Sequence, residues 1–133
     1  MVPGKKPKGV GMLLPLFDKD SDLVAWIEPG KSIFDLEMNW VAYIANGNLW
    51  SAKTNKWLGP VSGLLCFDTK GKPVLWNPKE QIRAIPAPLR PLNPLRPLTP
   101  LKPLKPLKPL RPLRPLTPLG GWSALSYYSW VMR

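Results

Sequence analysis

The residues best suited to do chemistry in this 133-residue chain are cations that recur late in the sequence. They occupy the x positions of an unbroken Pro-Leu-x repeat. Guanidinium and ammonium groups bind carboxylates and phosphates. The formal net charge is +11 and all eight acidic residues lie at or before Glu80, so the positive field belongs largely to this repeat. We predict a partner-binding cationic edge made of Arg90, Arg96, Lys102, Lys105, Lys108, Arg111 and Arg114.

Catalytic chemistry finds little support in the sequence. There is no histidine, no Gly-rich phosphate loop and no nucleophile motif. Asp18–Asp22 imitates the start of a calcium loop, but Leu23 replaces its glycine and Pro29 its final glutamate. The single cysteine, Cys66, has apolar neighbours typical of a buried thiol. We therefore expect no enzyme, catalytic residue, cofactor, metal site or small-molecule substrate.

The cations depend on a segment whose conformation is set by proline. Prolines stand at every third position from Pro88 to Pro118. Because proline fixes φ and pushes the preceding residue away from the α region, residues 81–119 are predicted to form a cationic polyproline II segment. Three residues per turn give it a proline edge, a leucine edge and a polar edge. We expect the leucine edge to pack on the β domain, on another rod or in a partner groove; a solvated spacer is the alternative.

The earlier part of the chain repeats with a period of about 16–17 residues. Each copy pairs an apolar-aromatic dipeptide with a later β-branched and aromatic run, which is typical of a hairpin. The predicted fold class is all-β: four short hairpins in a small symmetric meander or barrel-like sheet over residues 13–80. We expect equivalent positions for Phe17, Phe34, Trp50 and Phe67, and a second aromatic layer of Trp26, Tyr43 and Trp76. The closing runs begin at Val24, Val41, Trp57 and Val74.

The two ends of the chain have contrasting compositions. Residues 1–12 form a basic extension, and residues 120–133 an aromatic one. Apolar runs are too short for a membrane span, so a cytoplasmic protein is expected. The aromatic segment is predicted to dock on its own β domain or on a neighbouring copy through Trp122, Tyr127, Tyr128 and Trp130.

The repeated Leu/Ile-Phe-Asp unit, with its Val-Ala-Trp/Tyr-Ile closing run, is followed by the basic proline tract and by Gly121-Trp122-Ser123. This combination resembles the four-fold β-flower proteins over Leu16 to about Trp130. The resemblance implies a symmetric sheet of four hairpin petals, in bacterial proteins whose biochemical role is essentially unassigned. It brings no functional residues to this chain. The third copy departs from the pattern at Ser51 and at Gly59-Pro60.

These features together predict a non-enzymatic structural or assembly protein. Its polyproline II segment would pack the leucine edge on protein, self or partner, and give an oligomer or filament. The alternative is peripheral binding of nucleic acid or of an anionic membrane surface through the cationic edge. Recognition of the PxxP spacing by an SH3-like groove is a further option.

Overall fold

A computed structural model describes residues 11–133, so most of the predicted basic extension at residues 1–12 lies outside the described residues. Within the described range, eight strands follow one another and each pairs antiparallel with the next. A short helix, α1, ends the chain at Tyr127–Val131. The strands are β1 (Leu14–Phe17), β2 (Leu23–Glu28), β3 (Ser32–Phe34), β4 (Trp40–Ala45), β5 (Asn48–Ser51), β6 (Trp57–Ser62), β7 (Leu65–Phe67) and β8 (Pro73–Leu75).

The meander nearly closes into a barrel. Phe17 and Trp76 exchange two backbone hydrogen bonds, from each amide to the other's carbonyl, at 2.8 and 2.9 Å. They join β1 to the residue after β8, which leaves little free sheet edge for a neighbouring chain. The predicted all-β fold class, with four hairpins in a small meander, is confirmed.

Each hairpin turns on the side chain that follows its aromatic residue. Oδ1 of Asp18 accepts hydrogen bonds from the amides of the second and fourth residues after it, at 2.9 and 3.0 Å. Asp35 and Asp68 repeat this arrangement. Ser51 Oγ accepts from the second and third residues after it, at 3.3 and 3.1 Å. A short polar side chain that bonds its own backbone is a turn-forming device, so these carboxylates have a structural task.

The third hairpin differs from its sequence-based alignment by one residue. In each hairpin a β-bulge lies between the residue pair nearest the turn and the next pair. In the first hairpin Val24 is the bulged residue. In the third hairpin Leu58, and not the expected Trp57, takes this place because the turn after Ser51 is one residue longer. The next residue, Gly59, must be glycine because a Cβ there would lie 2.1 Å from the carbonyl oxygen of Phe67.

The sheet buries a different set of side chains on each face. The residue before each aromatic lies in the central core, which contains Leu16, Ile33, Leu49 and Cys66. Since successive strand side chains point to opposite faces, the aromatic residues lie on the other face, where Phe17, Phe34, Trp50 and Phe67 are all buried. Their equivalent burial agrees with the repeat.

The predicted second aromatic layer takes the form of separate pairs at equivalent positions. Its members do not form one cluster; each pairs across a seam between petals with a neighbouring petal's aromatic residue. The closed sheet distributes these seams around its circumference, which keeps them apart. The seam pairs are Trp26 with Phe34, Tyr43 with Trp50, and Trp76 with Phe17.

Candidate interaction surface on the proline segment

The proline segment lies against its own β domain. Residues 81–118 contain neither helix nor strand, and they pass the four hairpins in reverse order. The amide of Ile85 donates to Gly71 in the fourth turn at 2.9 Å. Asn93 Nδ2 donates to the carbonyl of Asn55 in the third turn at 3.1 Å. Further along, Arg96 lies beside the second hairpin, and the segment then reaches the first turn.

Two side-chain contacts fix the later course of the segment. The Arg96 guanidinium lies 5.4 Å from the ring centroid of Trp40, within cation–π range. Ser21 Oγ donates to the carbonyl of Leu113 at 3.1 Å. The segment is therefore anchored at several points around the domain and does not extend away from it.

The proline edge faces the domain. Along the repeat every proline except Pro97 is half-buried or buried, and Pro118 is the most enclosed. The exposure pattern has a period of three, as polyproline II requires. An anchored proline edge leaves the two other edges turned towards solvent.

The leucine edge is the outermost feature of the segment. It comprises Leu89, Leu92, Leu95, Leu98, Leu101, Leu104, Leu107, Leu110, Leu113, Leu116 and Leu119. Their exposed fractions lie between 91% and 95%, except for Leu101 at 69%. Packing of this edge on the chain's own β domain, one of the expected options, is therefore wrong. Proline rings are also apolar and take that place, and Arg96, Arg111 and Arg114 reach back from the polar edge to the domain.

Three of the seven predicted cations contact the domain. Arg111 Nη2 donates to the carbonyl of Asp20 at 2.8 Å and lies 3.2 Å from the carboxylate of Asp22. Arg114 pairs with the carboxylate of Asp20 at 3.7 Å. These ion pairs are about half exposed, so each contributes little stability and mainly fixes position. Arg96, on Trp40, is the third.

Three consecutive cations form no such contact. Lys102, Lys105 and Lys108, here named the lysine row, are exposed. In the described part of the chain they make no salt bridge, and no hydrogen bond joins their side chains to another residue. Arg90, at the start of the segment, is likewise exposed. The structure thus separates anchoring arginines from solvent-facing lysines, a division that the repeat itself does not reveal.

The aromatic C-terminal segment packs on its own chain. Trp130 in α1 is fully buried in the central core, and its Nε1 donates to the carbonyl of Leu58 at 2.9 Å. Trp122 is half-buried against a second apolar cluster, which contains Phe17, Leu65, Phe67 and Trp76. Tyr127 packs against the central core, whereas Tyr128 is 69% exposed. The four predicted docking residues therefore contribute unequally, and Trp130 dominates.

Two further contacts hold this segment and were not predicted. Ser123 Oγ donates to Oδ2 of Asp68 at 2.6 Å, and its amide donates to the carbonyl of Pro73 at 2.9 Å. Thr54 Oγ1 donates to the carbonyl of Arg133 at 3.0 Å. Asp68 thus serves its turn through one oxygen and the C-terminal segment through the other. The signal in the sequence was the Gly-Trp-Ser motif, which contains Ser123 but does not name its acceptor.

Burial raises the pKa of three titratable groups, two in the β domain and one in α1. Burial raises the pKa of the Cys66 thiol well above its usual range, which keeps it protonated and unreactive. Burial, with help from the nearby charges of Asp35 and Glu37, raises the pKa of Tyr127. Burial also raises the pKa of Tyr43, against the opposing effects of Arg96 and of a hydrogen bond to Asn55. Across residues 11–133, no group of three or more acidic or cysteine side chains is placed to hold a metal ion.

Among the described residues, no helix has the length and apolar character needed to cross a membrane. Neither the curated proteins nor the solved structures contain a significant match to this chain. The 4-fold beta flower protein family matches residues 14–131, which include all eight strands, the proline segment and α1. The resemblance seen in the sequence is confirmed, and the chain belongs to the 4-fold β-flower protein family.

Proposed function

We propose that this protein is a non-enzymatic assembly protein that binds other protein surfaces through its leucine edge. The observation that carries the proposal is the exposure of this edge, above 90% at nearly every leucine, on a segment held in place by its proline edge. The surface bound belongs to a second copy or to a partner protein.

The free energy available from the leucine edge favours its burial. Each leucine side chain that leaves water contributes about 1.5–3 kcal/mol. Contiguous apolar patches of this kind on soluble proteins usually mark interaction sites. The anchored segment is also ordered before binding, which reduces the entropy lost on association. Anchoring therefore converts a flexible repeat into a ready interaction surface.

The same anchoring argues against recognition by an SH3-like groove. Such grooves accept proline rings together with the residues beside them. Here the proline rings face the β domain, so a groove of this type would first have to detach the segment. A partner that needs only the leucine edge has direct access.

The non-enzymatic part of the proposal is supported by where the reactive groups lie. The chain has no histidine, and its thiol is buried with a raised pKa. Asp18, Asp35 and Asp68 are engaged by their own turns. A cytoplasmic location remains part of this proposal.

The lysine row supports a second candidate function. Three ammonium groups that are unpaired among the described residues, about 9 Å apart along a polyproline II edge, attract phosphates, whether of nucleic acid or of anionic lipid. Such binding would be sensitive to salt and indifferent to sequence. The leucine edge would then remain without a role, which is why we place this candidate second.

The test compares the full chain with a variant that carries glutamine at Leu104, Leu107, Leu110 and Leu113. Truncation after Arg83 is unsuitable because it would remove Trp130 from the core. A matched control carries glutamine at Lys102, Lys105 and Lys108. We expect light scattering over a concentration series to show association of the wild type and of the lysine control, and a monomeric leucine variant. Equal masses for all three proteins, with loss of DNA or anionic-vesicle binding in the lysine variant alone, would favour the second candidate.

A further inference from the structure

The part of the segment between Arg96 and Arg111 makes no polar contact with the β domain within the described residues. Arg96 on Trp40 marks one anchor, and Arg111 on Asp22 the other. Within the described residues, residues 97–110 make no hydrogen bond or ion pair to the β domain. The lysine row lies in the middle of this span. Between these ends the stretch is held by its half-buried prolines and not by polar contacts, and space remains beside the prolines.

Two clefts lie under this span. The first has a volume of about 390 Å³ and lies between Pro97–Leu101 and the turn that joins β2 to β3. The second has a volume of about 300 Å³ and lies between Lys105–Lys108 and the first two hairpins. The second cleft is within the size range of side-chain and ligand pockets and is here named the socket.

The socket combines an apolar wall with a cationic rim. Its apolar lining comes from Leu23, Trp26 and Leu36, and its charged lining includes Lys105 and Lys108. Asp22 also lines it but is paired with Arg111. The arrangement fits a large apolar side chain whose neighbours are acidic.

A second copy of the chain is a poor source of those acidic groups. Seven of the eight carboxylates already accept hydrogen bonds or ion pairs within the described residues. Only the exposed Glu37 makes no such contact there. Two lysine rows would also repel each other. Charge therefore favours a different, acidic partner at this position.

From these observations we infer that the socket and the lysine row bind an acidic, extended segment of a partner protein, with one large apolar side chain seated in the socket. The inference rests on the proposed function, because it names the partner chemistry of the same proline segment. A partner segment in polyproline II conformation with an acid at every third residue would match the roughly 9 Å spacing of the lysines.

The test uses synthetic peptides and the full chain. The main probe repeats Pro-Phe-Glu; one control replaces Glu by Gln, and a second replaces Phe by Ser. We expect the Pro-Phe-Glu peptide to bind most tightly by calorimetry, and each control to bind roughly tenfold more weakly, since three exposed ion pairs or one partly buried ring contribute about that much. The binding of the main probe should weaken with added salt.

Protein variants locate the site. Glutamine at Lys102, Lys105 and Lys108 should weaken the main probe roughly tenfold. Lys79→Gln, which removes an exposed cation outside the proline segment, should leave its affinity unchanged. Leu36→Glu places a carboxylate in the socket wall and should abolish the advantage of Phe over Ser. Circular dichroism of each variant checks that the fold is kept.

Several results would overturn the inference. They are equal binding of the three peptides, an equal loss in Lys79→Gln, or tighter binding of anionic vesicles or RNA than of the peptide. The glutamine variant of the leucine edge separates the two proposals. If the glutamine variant of the leucine edge still associates as the wild type does, while peptide binding maps to the socket, the proposed function fails alone. If association depends on the leucines but the peptide does not bind, the socket inference fails alone.

Discussion

The β domain and the proline segment are both periodic, yet they use their periods in opposite ways. The domain repeats about every 17 residues, and each repeat buries an aliphatic residue, or Cys66 in the fourth, on one face of the sheet and an aromatic residue on the other. The segment repeats every three residues and leaves its leucines in solvent. Closure of the sheet buries the apolar side chains of the β domain within the chain itself. An anchored rod has no second face to cover its leucines, so they are left for another molecule.

The largest expected effect is at Trp130, which packs the C-terminal segment, beyond the proline segment, into the core of the β domain. Trp130→Ala should lower the free energy of unfolding by about 3–5 kcal/mol, because it removes a fully buried ring and leaves the Leu58 carbonyl without its donor. Urea denaturation measures this. Tyr128→Ala, at an exposed position two residues away in the same helix, should change it by less than about 0.5 kcal/mol. Similar losses in both variants would contradict the central placement of Trp130.

The start of the proline segment can be tested at one glycine. Gly71 has φ of 84°, and a Cβ there would lie 2.4 Å from the carbonyl oxygen of Ile85. Gly71→Ala should lower stability by about 2–4 kcal/mol through backbone strain and displacement of the segment. Gly30→Ala, with φ of 74° and open space around its Cβ, should lose only the strain, about 1–2 kcal/mol. Thermal denaturation that shows no difference between them would place the segment away from Gly71.

Alkaline pH should lower the stability of the core. Burial raises the pKa of Cys66 and of Tyr127, so the unfolded chain loses these protons at lower pH than the folded one. The free energy of unfolding should therefore fall above about pH 8.5 for the thiol, and further above about pH 10 for the phenol, by about 1.4 kcal/mol per pH unit and group. Urea midpoints across this range measure the fall. Tyr127→Phe should make the fall above pH 10 less steep, since Cys66 and Tyr43 still contribute there; an unchanged slope would mean that the ring is solvated.

The smallest effect is expected at the anchors of the first hairpin. Glutamine at Arg111 and Arg114 removes two exposed ion pairs, each of which contributes at most about 1 kcal/mol. Stability should change little, and the change should vanish in high salt. The accessibility of residues 105–114 to limited proteolysis should nevertheless rise. Loss of more than about 2 kcal/mol would show that these arginines hold the fold and not merely the course of the segment.

The sequence predicted those features that depend on local chemistry. Four hairpins follow from the aromatic and β-branched runs, and their turns from Asp18, Asp35 and Asp68. The three edges of the segment follow from proline at every third position. The longer third turn was missed because Ser51, like aspartate, can bond the backbone amides that follow it. This shared role does not reveal how many residues the turn contains.

Which edge faces the domain could not be predicted from the sequence. Proline and leucine are both apolar, and the choice depends on acidic and aromatic side chains that the fold brings beneath the segment. Arginines and lysines occupy the same position of the repeat. The sequence therefore could not show that Arg96, Arg111 and Arg114 contact the domain whereas the lysine row faces solvent. The socket was also beyond prediction, because Leu36 and Lys105 meet only after two hairpins and the segment are assembled.

Site-specific photo-crosslinking at the leucine edge tests the central claim most directly. A photoreactive residue at Leu104 in the full chain should crosslink to protein in living cells, to a second copy or to one discrete partner. The same residue at Pro106, on the half-buried edge, should crosslink within the chain. A partner found this way should lose at least tenfold in affinity when Leu104, Leu107, Leu110 and Leu113 become glutamine. Crosslinks from Leu104 to lipid or nucleic acid alone would contradict the leucine edge as a protein-binding surface.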